Sequence, residues 1–231
     1  MFAWVTTEKL AWPRAVGYND LMPLRLSPKS KFIFIGDSIT DCGRGGDSQG
    51  IGGGYVRMVR DYLRAKDPAH APDVINRGIS GNKVTNLRDR WQKDVIDLGP
   101  NVLSIMIGIN DVWHGLSPGG SGVDIDAYRK TYGELIAQVK EKHPQCAIVL
   151  CEPTIISLPA HPDGNQSLKP YVAAVRELAV EHKTLLVPLH DVFLDAAKAR
   201  PDIDWATDGV HPTSGGHMLI ARQWLSATEL L

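Results

Sequence analysis
Cysteine is scarce in this chain of 231 residues, which holds only Cys42, Cys146 and Cys151. Three thiols cannot build a disulfide framework. Cys146 and Cys151 stand five apart on an apolar run that reads as a strand, so they point to opposite faces and cannot pair. The expectation is free, mostly buried thiols in a reducing compartment. Neither CxxC nor HExxH occurs, so no metal site is expected. GxGxxG and GxxxxGK are missing as well, which removes the usual nucleotide readings. An excess of one charge is also lacking: 25 Lys and Arg stand against 26 Asp and Glu, so no nucleic-acid partner is expected. Long apolar runs are absent. The longest uncharged stretch, Leu98 to Asn110, contains Gly, Pro and Asn and is too short to span a bilayer, so no membrane partner is expected. The opening MFAWVTTEKLAW has no basic segment followed by an apolar one and does not read as a signal peptide. Together these absences point to a soluble, cytoplasmic protein.

What is present is an alternation of apolar runs with helix-period segments, the pattern of a parallel sheet covered on both faces. Lys31–Ile35 reads as a first strand, followed by helix-spaced Tyr55, Met58, Val59, Tyr62 and Leu63. Asp73–Asn76 is a second strand and Val84–Ile96 a second helix. Asn101–Ile107 is the clearest buried strand, and Asp124 caps the helix marked by Tyr128, Tyr132, Leu135, Ile136 and Val139. Ala147–Cys151 and Thr184–Leu189 are two more strands, with a helix between them through Val172, Val175 and Leu178. A last helix starts near Ser214. Five strands with four or five helices predict one doubly wound α/β domain over residues 31–231. Residues 1–30 hold Pro13, Pro23 and Pro28 among Phe2, Trp4, Trp12 and Tyr18, and read as an extended arm. Asp41 to Gly54 carries seven glycines and reads as a long loop after the first strand, where ligands bind in open α/β sheets.

Four short blocks fall at strand ends: Gly36-Asp37-Ser38, Gly78-Ile79-Ser80-Gly81, Gly108-Ile109-Asn110-Asp111 and Asp208-Gly209-Val210-His211. Each alone is an ordinary turn or cap. Together they supply a serine, a histidine with a nearby carboxylate, and amide donors from a glycine and an asparagine, the parts of an acyl-transfer site. Asp208 stands three residues before His211 and can reach its Nδ1 within one turn. Asp37 and Asp111 read as loop-holding carboxylates. Gly46-Asp47-Ser48-Gln49-Gly50 satisfies G-x-S-x-G, but glycine-rich loop lies on both sides instead of a strand and a helix. His190-Asp191 is the rival His-Asp pair, although adjacent residues point apart.

The four blocks, with the longer strings FIGDSITDCGR, NRGISGN, SIMIGINDVW and GHMLIAR, resemble the SGNH branch of the GDSL hydrolases, and within it the bacterial acetylxylan esterases. The resemblance covers the chain from about Lys31 to the last helix. It implies a three-layer α/β/α, flavodoxin-like fold with a five-stranded parallel sheet. It implies Ser38 as nucleophile, His211 as base and Asp208 as its orienting partner. Ser38, Gly81 and Asn110 would supply the oxyanion hole, and no cofactor is called for. An acetylated carbohydrate is the implied substrate, and related esterases tend to form homo-oligomers. Arg44, Trp113, His114 and Trp205 are candidate substrate contacts. The relatives tend to carry a tryptophan immediately before the catalytic aspartate, where this chain has Thr207. A broad short-chain carboxylesterase or thioesterase is the alternative enzyme. A non-catalytic carbohydrate-binding module is the alternative outside enzymes.

Overall fold
The four residues Phe32-Ile33-Phe34-Ile35 in β1 (Lys31–Gly36) already divide the molecule into layers. Side chains alternate across a strand. Phe32 and Phe34 therefore enter one apolar cluster, and Ile33 and Ile35 enter the other. The computed structural model describes Leu24, residues 26–157 and residues 159–231. The arm expected over residues 1–30 lies for the most part outside the described residues, although Leu24 and Leu26 pack against the Phe32 side.

Five parallel strands lie in the order β2-β1-β3-β4-β5. The others are β2 (Asp73–Gly78), β3 (Val102–Met106), β4 (Ala147–Cys151) and β5 (Leu185–Val187). The Phe32 face is covered by α2 (Tyr55–Lys66), α7 (His190–Ala199) and α8 (Ser214–Ala227), through Val59, Leu63, Phe193 and Trp224. The opposite face takes α3 (Val84–Trp91), α5 (Ile125–Lys142) and much of α6 (Gly164–Glu181), through Leu87, Trp91, Tyr132, Val139 and Val175. Two short helices, α1 (Ser38–Asp41) and α4 (Ile109–Trp113), sit directly at strand ends. This is the doubly wound architecture expected. Its order reverses between β1 and β3, the place where such sheets bind ligands. No helix among the described residues is long and apolar enough to cross a membrane.

The differences from expectation have local causes. The second helix is α-helical only to Trp91 and continues as a π turn over Gln92–Ile96. The helix α7 was not foreseen, because its start carries no local signal. Leu189 provides no side-chain cap. The free N–H groups of Leu189 and His190 are taken instead by the buried Glu152 carboxylate, contributed by the end of β4 and paired to Arg176. Asp124 caps α5 as expected, accepting from the N–H groups of Asp126 and Ala127. Cys146 and Cys151 are free and lie in opposite layers.

The largest buried side chain of the α8 layer, Trp224, packs on Phe34 at 5.1 Å and donates its indole N–H to Ser104 Oγ on β3 at 3.0 Å. Both residues are fully buried. Ser104→Ala strands that N–H away from water, so an expected loss of about 1–3 kcal/mol follows. Urea unfolding should show a lower midpoint with an unchanged slope.

Candidate active site
β1 ends at Gly36, and Ser38 begins α1 two residues later. Asp37 forms the cap, its carboxylate accepting from Ile39 N–H at 2.9 Å. As the first helical residue, Ser38 carries a backbone N–H with no acceptor inside the helix. The turn is tight because α1 lies directly on the end of β2. A Cβ on Gly78 would stand 2.1 Å from the Asp41 nitrogen, so a glycine is required there.

His211 and Asp208 come from the segment between α7 and α8, closed by an isolated bridge between Ala206 and Pro212. Asp208 accepts from the N–H groups of Val210 (3.0 Å) and His211 (2.8 Å), and its other oxygen meets His211 Nδ1 at 2.7 Å. Partial burial pushes the Asp208 carboxyl up, but the backbone and ring N–H bonds from His211 outweigh it and hold the group at about 2. An ionised carboxylate can only accept, so the proton sits on Nδ1 and Nε2 is left as an acceptor. Ser38 Oγ lies 2.8 Å from that Nε2 and donates its hydroxyl proton to it. The three side chains thus form one directed line of hydrogen bonds, with a serine oxygen at its end.

Gly81 stands three residues beyond β2 with φ +79°, and no atom lies within 4 Å of where a Cβ would be. The space beside its Cα is therefore open. Asn110 is buried in α4, and its Nδ2 donates to the Asn82 carbonyl at 3.1 Å. A primary amide has two N–H donors, so one remains. Asp111 reaches across to α3, accepting from Val84 N–H at 3.0 Å. Asp37 and Asp111 do hold these loops, as the sequence suggests. Burial raises both carboxyls to about 7; the Ile39 and Val84 N–H bonds pull the other way, and Asp111 adds to the rise at Asp37.

The candidate substrate contacts divide. Trp113 sets its ring edge-on to His211 at a centroid distance of 5.9 Å, and His114 lies beside it at 6.1 Å. Arg44 makes protein contacts through Nε, which donates to the Gly78 carbonyl at 2.5 Å and pairs loosely with Asp41. Trp205 turns its indole nitrogen into the interior and rests near Gly215 at the start of α8. The rival His190 is buried and bonded through Nδ1 to the Thr154 carbonyl, while Asp191 faces Arg176. Ser48 of the G-x-S-x-G string is exposed in its loop. His217 packs at the start of α8, accepting from Tyr55 N–H and lying 3.4 Å from Cys42 Sγ. Sequence reasoning missed Asn82, which accepts from the Arg90 and Asn110 side chains, and Arg90, which donates to two backbone carbonyls besides Asn82 and Asp94; partners so distant in sequence leave no trace in a motif.

Residues 34–219 match the GDSL-like lipase/acylhydrolase family. The chain belongs to that family. It is 35% identical over 216 residues to an acetylxylan esterase of Geobacillus stearothermophilus, a match that spans 87% of this chain and 95% of that protein. A crystal structure described as a GDSL-like lipase from Parabacteroides merdae superposes with a TM-score of 0.83 at 38% identity, covering 91% of this chain and all of the other. The Geobacillus enzyme, Axe2, superposes at 0.80 with 34% identity, covering 89% and 96%. This GDSL-family chain is accordingly a carboxylic ester hydrolase on the α/β fold described above.

The raised carboxyls of this GDSL hydrolase set a pH dependence. A carboxyl at 3.8 when unfolded and about 7 when folded binds its proton more tightly in the native state. Its contribution to stability is full below 3.8 and is lost as pH climbs through about 7. Asp111→Asn, a neutral isostere that keeps the oxygen facing Val84, should lose part of this decline. The melting temperature of wild type relative to the variant should therefore fall between about pH 4 and pH 7, and parallel curves would refute the assignment.

Proposed function
We propose that this hydrolase removes acetyl groups from acetylated carbohydrates, xylo-oligosaccharides foremost, by serine-histidine-aspartate catalysis. The observation that carries the reading is the line from Ser38 Oγ through His211 to Asp208, at 2.8 and 2.7 Å, ending at the reversal point of the sheet.

Ser38 Oγ attacks the ester carbonyl carbon while His211 Nε2 takes its proton, and the imidazolium is balanced by Asp208. Negative charge gathers on the former carbonyl oxygen. The N–H groups of Ser38 and Gly81 and the remaining N–H of Asn110 are the donors assigned to receive it. His211 then gives its proton to the departing sugar hydroxyl, and the acetyl group stays on Ser38. A water molecule gives a proton to His211 and attacks the acetyl carbon, and collapse releases acetate with the proton returned to Ser38 Oγ. Apart from that water and the ester, the groups that act in each step belong to this chain. Trp113, edge-on to His211, forms a wall against which an apolar sugar face or the acetyl methyl can pack.

Support for the substrate class comes from the Geobacillus relative, which is an acetyl-xylooligosaccharide esterase. Catalytic mutants of that enzyme replace a serine, an aspartate and a histidine, the aspartate preceding the histidine by three positions. Asp208 and His211 have the same spacing. A tryptophan stands immediately before that aspartate in the relative, where this chain has Thr207, so the two chains differ at that position while the aspartate-to-histidine spacing is the same.

Ser38→Ala should lower acetate release by about a thousandfold or more, and should abolish labelling by a fluorophosphonate. Asp208→Asn, which leaves His211 in the wrong tautomer, should cost roughly 10³–10⁴-fold in kcat. A panel of acetylated xylo-oligosaccharides, aryl esters of rising acyl length and acyl thioesters tests the substrate. Preference for thioesters or long acyl chains would overturn the carbohydrate reading, and activity surviving Ser38→Ala would overturn the nucleophile.

A further inference from the structure
One cation lies beneath the site and touches none of the reacting groups. Arg90, on α3, has a side chain only 14% exposed. Its Nε donates to Asn82 Oδ1 at 2.8 Å, and Nη2 donates to the Gly36 carbonyl at 3.1 Å. Nη1 donates to the Arg77 carbonyl and to Asp94 Oδ2, each at 2.8 Å. Four of the five guanidinium N–H groups are thus engaged. Their acceptors belong to the end of β1, the end of β2, the loop that follows β2 and, through Asp94, the π turn after α3.

These acceptors coincide with the supports of all three proposed oxyanion donors. Gly36 lies two residues before Ser38. Asn82 adjoins Gly81, and its carbonyl is the group that receives Asn110 Nδ2. Asn82 is therefore gripped from two sides, by Arg90 at its side chain and by Asn110 at its backbone. The planar fork of an arginine can serve acceptors in several fixed directions at once, which the single ammonium of a lysine cannot. Asp94 pairs with it at 2.8 Å while also facing Arg77 at 3.9 Å; what is particular to Arg90 is the set of fixed directions it serves.

We infer that Arg90 is a positioning residue for the oxyanion hole, fixing the Ser38, Gly81 and Asn110 donors relative to one another by clamping Gly36 and Asn82. The inference rests on the proposed assignment of those donors. Misplacement of such groups by about 1 Å can cost on the order of a hundredfold in rate.

The test measures kcat and KM on a short aryl acetate for wild type, Arg90→Lys, Asn82→Ala, Asn110→Ala and the two double variants with Asn110→Ala, each checked for folding by its melting curve. Arg90→Lys, which keeps the charge and loses the fork, should lower kcat about ten- to a hundredfold with KM within about twofold. Asn82→Ala, which cuts one strut and leaves the Arg90–Asp94 pair in place, should lower kcat in the same way and decides the matter if the lysine variant fails to fold. On the Asn110→Ala background both losses should shrink, because the donor being positioned is gone. A folded Arg90→Lys enzyme with wild-type kcat, or losses that multiply undiminished with that of Asn110→Ala, would overturn the inference while leaving the oxyanion assignment intact. Wild-type kcat in Asn110→Ala would remove the assignment itself, and the inference with it.

Discussion
Every group at the site depends on the register of three neighbouring parallel strands. In the ladder β2-β1-β3, Gly36 pairs with Gly78 on one side and with Met106 on the other. Adjacent strands run about 4.8 Å apart, so these three strand ends lie within about 10 Å. Ser38, Gly81 and Asn110 follow them by two, three and four residues, and arrive together for that reason. A slip of one residue would turn each strand's side chains to the opposite layer. It would drive Phe32 and Phe34 out of contact with Trp224, and Ile33 and Ile35 away from Leu87 and Tyr132. The packing of the two apolar layers is thus what holds the donors in place, before any polar contact is counted.

Carboxylates around the site occupy two kinds of surroundings, and their protonation follows. Asp208 is half exposed and fed by three N–H groups, so it stays ionised. Asp37 and Asp111 are sealed from solvent at 1% exposure and favour the neutral acid up to about pH 7. A neutral Asp37 places no negative charge beside Ser38. An ionised Asp208 accepts from His211 Nδ1, on the side of the ring away from Ser38. The same side chain type thus takes opposite charge states, set by burial at Asp37 and Asp111 and by donated N–H bonds at Asp208.

Much of this was legible in the sequence where the determinants are local. The two-residue alternation of Phe and Ile in β1, the cap at Asp124 and the Asp-x-x-His spacing are each written within a few residues. The four blocks could be read as one site because each follows a strand that the pattern already marks. Distant partners are what the sequence hides. Helix α7 starts on a carboxylate from β4, and Arg90 works through carbonyls, which every residue possesses and none advertises. Trp205 and Trp113 show how little sequence proximity says about which ring meets His211. Trp205, six residues away, turns its indole nitrogen inward, whereas Trp113, nearly a hundred residues away, is the ring set against it.

The placing of Asp208 and His211 on one short segment has a mechanical consequence. The carboxylate holds the His211 ring and also its own neighbours' backbone, so the acid and the base form a single rigid block. That block is anchored by its link to Ser38 Oγ, by the edge of Trp113 against His211, by main-chain bonds such as Ser157 N–H to the Gly209 carbonyl, and by Val210, which stands between the two residues and is buried in the Phe32-side core. Both residues are thus carried by one buried side chain of the apolar layer, and a shift of that layer would move them together and leave their mutual bond unstrained.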